Sequence, residues 1–253
     1  MNPINLIPIP NIPLIEPDDD LAQIIVETMQ RNTQSFEDGD ILVLAQKIVS
    51  KAENRYARLS EVTPSAKAIE LAQKTEKDPQ EVEVILWDTA EVIRAIPGVL
   101  IVEHKLGCIS ANAGVDKSNI PNEEGLLLRL PADPDQSAQQ IRAGLAEQTG
   151  KRPPVMIIDS HNRPWRLGVM GVTIGISGLN PIQDFRGDTD MFGRVLKVSE
   201  VNIADQIATA ALLVMGETDQ ACPAVIVRGL SYEADDQATA KQTLRDKSRD
   251  LFR

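Results

Sequence analysis

The sequence predicts a chain of mixed helices and short strands, built as one large domain or two smaller lobes. Three observations lead there. Apolar runs of strand length recur, at residues 41–45, 99–103, 155–158 and 224–227. Between them lie stretches with apolar residues at helical spacing, most clearly residues 198–216, where Val201, Ala204, Ile207, Ala208, Ala211, Leu212 and Met215 form one wide face. Finally, 253 residues with 42% hydrophobic content are enough to bury a substantial core.

Taken in order, residues 4–9 form a short extended run that Pro8, Pro10 and Pro13 confine to a sheet edge or to an extended approach to the body of the protein. After Pro17 the acidic triplet 18–20 caps a helix carrying Leu21, Ile24, Ile25 and Met29, which runs to about Arg31. A turn at Asp38-Gly39-Asp40 launches the buried strand 41–45. In residues 46–55 cations interrupt the apolar pattern, so Lys47 and Lys51 either reach phosphates or coat a helix start. Thr63-Pro64 begins a helix to about Lys74. Asp78-Pro79 begins another, with Val82, Ile85, Leu86, Ala90 and Ile93 on one face. Residues 99–103 and 105–110 read as an antiparallel pair, leading into a small, polar, glycine-bearing segment with Asn112, Asp116, Ser118 and Asn119. That segment is either a plain loop or one part of a divalent-metal site, whose oxygen ligands usually come from separate segments.

A strand at 126–130 and a helix opening at Asp133-Pro134, with Ala138, Ile141, Leu145 and Ala146, precede the strand 155–158. Asp159, Ser160, Arg163 and Arg166 follow in a polar tract that is expected to end the strand. A carboxylate and a hydroxyl at a strand end, followed by guanidinium forks, suit a magnesium-like ion and phosphates. The alternative is a strand cap followed by a solvated loop. Gly168, Gly171, Gly175 and Gly178 punctuate β-branched sequence, which points to close approach by another backbone or a ligand. Residues 180–195 are irregular and fit either a lid or a dimer contact. Glu217 sits just past the 198–216 helix as a third acidic candidate, and the tail from Tyr232 reads as a charged, solvated helix.

A formal charge of −11 argues against a nucleic-acid partner, because phosphate backbones need clustered Lys and Arg. The two cysteines, Cys108 and Cys222, lie far apart and suggest neither a metal centre nor a disulfide framework, so a cytoplasmic setting is expected. No signal sequence or membrane span is expected. Neither a Walker-type phosphate loop nor a G-x-G-x-x-G fingerprint occurs, and His104 and His161 are the only histidines, which excludes an H-E-x-x-H zinc centre. Oxygen-ligated metal chemistry on an anionic substrate survives these exclusions.

Four colinear blocks carry a resemblance. Ser50-Lys-Ala-Glu53, Asn112-Ala-Gly-Val-Asp116 with Ser118-Asn119, Asp159-Ser160 leading to Gly175-Ile-Ser-Gly178, and Met215-Gly-Glu217 followed by Pro223-Ala-Val-Ile-Val-Arg-Gly229 resemble the coenzyme F-420-0:γ-glutamyl ligase family. The resemblance spans roughly residues 7–230 and leaves 231–253 as a helical tail. It implies an α+β fold with mixed, largely antiparallel sheets, flanking helices and two intertwined lobes, distinct from Rossmann and P-loop folds. It further implies a homodimer, GTP as co-substrate, two Mn²⁺ or Mg²⁺ ions and K⁺, in a reaction that adds L-glutamate to a small anionic acceptor.

By the same resemblance, Asp116 and Asp159 hold one metal and Ser160 and Glu217 the second. Pro13, Leu14, Ile15, Glu16, Lys51, Asn119, Met215, Gly216, Glu217, Thr218, Asp219 and Gln220 contact the nucleotide, with Gln46 and Lys47 alongside. Lys51 and Asp159 are the implied catalytic pair. Archaeal members carry Ser-Thr where this chain has Gln46-Lys47, Thr in place of Ser160, and Asn-Gly in place of His161-Asn162. Ser replaces Thr as a hydroxyl ligand, whereas Gln46-Lys47 bears on nucleotide contacts and His161 on the acceptor pocket. The same ligation on a folate or another carboxylate is the nearest rival, and a non-catalytic metabolite-binding dimer is the rival from another class.

Overall fold

The computed structural model describes residues 3–250. In chain order the elements are β1 (Asn5–Pro8), α1 (Leu21–Arg31), β2 (Ile41–Ala45), α2 (Gln46–Ala52), β3 (Tyr56–Arg58), α3 (Ala66–Thr75), α4 (Pro79–Trp87), β4 (Thr89–Ile96) and β5 (Val99–His104). They continue with β6 (Ile109–Ala111), β7 (Leu126–Leu128), α5 (Pro134–Thr149), β8 (Val155–Arg163), β9 (Arg166–Ser177), β10 (Ile182–Asp184), β11 (Glu200–Asn202), α6 (Ile203–Met215) and β12 (Ala224–Arg228). The chain is α+β, and its sheets are mostly antiparallel.

The centre is a five-stranded sheet ordered β1-β12-β2-β8-β9. Within it only β2 and β8 run parallel. Both faces are covered, which is why these strands read as unbroken apolar runs. Leu42, Leu44 and Ile157 point toward α1 and α5, against Ile25, Met29, Ile141 and Leu145. Ile41, Val43, Ile158 and Val225 point the other way, against Ile207, Ala208 and Ala211 of α6. The glycines of β9 allow the helices to come close: a Cβ on Gly171 would lie 2.5 Å from the Ala208 backbone, and one on Gly175 2.4 Å from the Pro134 carbonyl oxygen.

The capping residues do what their chemistry predicts. Asp20 accepts the Gln23 N–H, Asp78 those of Gln80 and Glu81, and Asp133 that of Gln136, each cap contributing about 1 kcal/mol. Pro79 and Pro134 occupy first-turn positions, where a missing N–H costs nothing.

Several expectations need correction. The helix from Pro79 stops at Trp87, and Ala90 and Ile93 belong instead to β4, which pairs with β5 in a three-stranded sheet beside α3 and α4. The strand of Asp159 does not end there: β8 continues to Arg163, with Asp159, Ser160, His161 and Asn162 paired to Val172, Gly171, Met170 and Val169. Residues 200–202 are a strand, so α6 begins at Ile203. Among the described residues the tail has no α-helix, only 3-10 turns at Ala240–Thr243 and Lys247–Arg249. Nor is it merely a solvated cover, since Ala238 and Ala240 are buried and Asp236 pairs with Arg142 and Arg152. Among the described residues no helix is long and apolar enough to cross a membrane.

Candidate functional site

The register of the central sheet places the largest group of candidates. Ala45, the last residue of β2, lies opposite Ile158 of the parallel β8. Gln46 and Asp159 therefore follow side by side as the apolar interiors of the two strands give out. The end of α6 and the segment 215–223 come alongside through β12, which pairs with β2. The loop ahead of α1 supplies the remaining wall. Together these segments enclose a cavity of about 690 Å³, within the size range of small-molecule sites.

Most of the sequence candidates converge here. Pro13, Leu14, Ile15, Glu16, Gln46, Lys47, Lys51, Asn119, Asp159, Ser160, Met215, Gly216, Glu217, Thr218 and Asp219 all line this cavity. Gln220 stays outside the wall but folds its amide onto Thr218 and braces the loop. Asn119 donates to the Thr218 carbonyl at 3.0 Å, tying the segment after Asp116 to the Glu217 loop across the mouth. Arg163 and Arg166 do not line the cavity; they flank the β8–β9 turn, and Arg163 reaches the Gly168 carbonyl at 3.4 Å. Gln46 is buried and accepts a hydrogen bond from the Ser50 hydroxyl at 2.8 Å.

Asp116 reaches the cavity indirectly. Its carboxylate pairs with the Lys47 ammonium at 2.7 Å, and Ser118 binds both partners, its hydroxyl lying 3.0 Å from the carboxylate and 2.6 Å from the ammonium. Burial opposes ionisation of Asp116, but Lys47 and the Ser118 N–H and hydroxyl more than offset it and hold the carboxyl below the usual carboxylate range. Lys51, half-buried, is pulled below the ordinary lysine value by desolvation and then by Lys47, against the opposite pull of Glu16. Asp159 is hydrogen-bonded through Oδ2 to Nε2 of the buried His161 at 2.8 Å. Asp159, Ser160 and Glu217 bring hard oxygen donors to the lining, and Lys47 and Lys51 bring positive charge. Among the described residues no three His, Cys, Asp or Glu side chains lie close enough together to hold a metal ion, so the acidic trio does not form a ready-made cage.

Sequence reasoning missed Tyr56, which lines the cavity from β3. Its signal was faint: it is one of two tyrosines and directly follows the cationic stretch. Ile12, Ile48, Ile120, Pro121 and Leu212 supply apolar wall and read as ordinary packing residues.

Comparison with known proteins places the chain in a family. Residues 10–229 match the family model described as F420-0:Gamma-glutamyl ligase. The chain is 41% identical over 251 residues to the coenzyme F420:L-glutamate ligase of Methanothermobacter thermautotrophicus, covering 99% of each chain. It is 44% identical to the protein of that name from Methanopyrus kandleri, over 97% of this chain and 96% of that one. The protein of that name from Archaeoglobus fulgidus is 40% identical over 99% of this chain and 96% of its own. The chain belongs to the F420-0:γ-glutamyl ligase family, whose members are ligases that form carbon–nitrogen bonds.

Proposed function

We propose that this chain uses GTP to join L-glutamate to coenzyme F-420-0 by way of an acyl phosphate on the acceptor. The observation that carries the reading is the single cavity in which Lys47, Lys51, Asp159, Ser160 and Glu217 meet, in a chain whose relatives are named for ligating glutamate. A carboxylate does not acylate an amine at neutral pH without activation. Attack of an acceptor carboxylate oxygen on the γ-phosphorus forms the acyl phosphate and breaks the bond to GDP. The glutamate amine then attacks the acyl carbon, and phosphate leaves with one oxygen of the original carboxylate.

Without a phosphate loop, charge on the triphosphate must be met by side chains and metal. The donor set suits Mg²⁺ or Mn²⁺, which bind through one or two carboxylates together with substrate phosphate oxygens and need no complete protein cage. Asp159, Ser160 and Glu217 would hold these ions in the cavity, with Asp116 joining if Lys47 turns toward the phosphates; K⁺ is a further proposed component. Bound there, the divalent ions would neutralise charge on the phosphate oxygens. Lys51 acts as a point charge on the triphosphate. His161 orients Asp159, and the apolar wall from Ile12 to Ile15 limits access of water.

The chain is further proposed to act as a homodimer in the cytoplasm. Trp165, Leu167 and Val169 near the β8–β9 turn, and Met191, Phe192, Val195 and Val198 between β10 and β11, are exposed apolar groups of the kind that mark an association surface. Incubation with GTP, Mg²⁺, labelled glutamate and either F-420-0 or a folate, read by mass spectrometry, tests the assignment. Glutamyl addition to F-420-0 is expected. Addition to the folate alone would reassign the acceptor, and no addition to either would leave a binding protein.

A further inference from the structure

A second cavity, of about 440 Å³, shares no lining residue with the first. Its wall holds Arg55, Asp88, His104, Lys105, Arg129 and Lys241, with Trp87, Leu106 and Leu244 as apolar neighbours. The two cavities draw on neighbouring positions of the chain: Arg55 lines the second and the next residue, Tyr56, lines the first.

The carboxylates of this wall are all engaged. Asp88 receives Arg129 through two hydrogen bonds of 2.7 Å and Arg55 at 3.5 Å. Asp135 takes the Ile176 and Ala240 N–H groups, and Asp133 that of Gln136. Donors remain in surplus. Among the described residues Lys105 and Lys241 have no ion-pair partner, and each guanidinium keeps a terminal nitrogen that accounts for none of the bonds to Asp88 or to the Leu130 carbonyl. His104, 3% exposed, accepts the Leu106 N–H on Nδ1, so in its neutral form the proton sits on Nε2, which is buried without a partner. The buried His104 Nε2 and the uncommitted terminal nitrogens of half-buried Arg55 and Arg129, with the exposed ammonium groups of Lys105 and Lys241 beside them, suit an anion with several acceptor oxygens.

We propose that this second cavity is the site for free L-glutamate, bound by its two carboxylates. The inference rests on the ligation proposed above, whose nucleophile is the glutamate amine: both carboxylates are then available as handles, and the amine must stay unencumbered. Paired arginines and two lysines supply forks and point charges for such a ligand. The full lining comes from six separate stretches of the chain, including the tail, which gives that segment a role in binding.

Trp87 provides a direct readout once Trp165, the other tryptophan, is replaced. In the Trp165→Phe protein, titration with L-glutamate, with and without GTP and Mg²⁺, should change Trp87 emission saturably. The double variant Lys105→Gln/Lys241→Gln, altered only at exposed side chains, should weaken that response about tenfold or more. In turnover it should raise KM for glutamate by a similar factor and leave KM for GTP unchanged. No saturable response to glutamate under either condition would overturn the proposal, as would a response to F-420-0 alone or an unaltered glutamate KM in the double variant. The titration needs no turnover, so a wild-type protein that binds glutamate but ligates nothing would sink the proposed reaction and not this site.

Discussion

At the scale of single residues, Asp159 carries the heaviest assignment. It stands where the buried half of β8 gives way to its polar half, hydrogen-bonded to His161 and facing the large cavity. Asp159→Asn removes charge while keeping size and hydrogen bonding. It should lower kcat by on the order of a hundredfold to a thousandfold with little change in the thermal midpoint, as measured by steady-state kinetics beside a melting curve. His104 gives a prediction of a different kind. Burial drives its pKa from 6.5 down to about 4, against the opposing pull of Asp88. Between those values the unfolded chain binds a proton that the folded chain excludes, so stability is complete above pH 6.5 and falls as the pH drops toward 4. The loss approaches ~3 kcal/mol. Urea midpoints measured from pH 7 to 4.5 should show this slope, and His104→Gln should flatten it.

At the scale of elements, the parts with local chemical signals were legible. The Asp20 cap, the Asp-Pro starts of α4 and α5 and the apolar runs of β2, β8 and β12 all fall where their residues place them. Misreadings arose where one pattern serves two structures. Val82, Ile85, Ala90 and Ile93 share a helical spacing, yet the last two lie on a strand because β5 offers a partner that only tertiary structure can supply. The polar end of β8 escaped notice because pairing with β9 alone satisfies its backbone while its side chains, the buried His161 excepted, keep some exposure. The reading of the glycines as points of close approach holds at Gly171 and Gly175 and fails at Gly168, where a Cβ would meet open space, and it predicts a cost. Gly175→Ala would drive a methyl group into the Pro134 carbonyl and should cost about 1–3 kcal/mol, visible as a lower urea midpoint.

At the scale of the whole molecule, convergence is what a linear reading could not supply. Nothing along the chain says that Lys47 lies on Asp116, or that Arg55, Asp88, His104 and Arg129 surround one space. The large cavity was visible only as four separate blocks, joined through family resemblance and not through periodicity. The exposed apolar arm belongs to this scale too. A stable dimer interface buries upwards of about 1,200 Å², and an arm bearing Met191 and Phe192 at 90% and 88% exposure is suited to contribute to one. For the proposed homodimer, wild-type protein should sediment as a dimer and Met191→Asp/Phe192→Asp as a monomer; a variant that stays dimeric at micromolar concentration would place the interface elsewhere, and a monomeric wild type would contradict the proposed dimer.

Isotope transfer tests the activation of the acceptor most directly. With heavy oxygen in the acceptor carboxylate and GTP as the nucleotide, one labelled oxygen should appear in inorganic phosphate for each glutamate added. Glutamyl addition with unlabelled phosphate would mean that the carboxylate never took the phosphoryl group, and would contradict the acyl-phosphate route assigned to the cavity of Lys51 and Asp159.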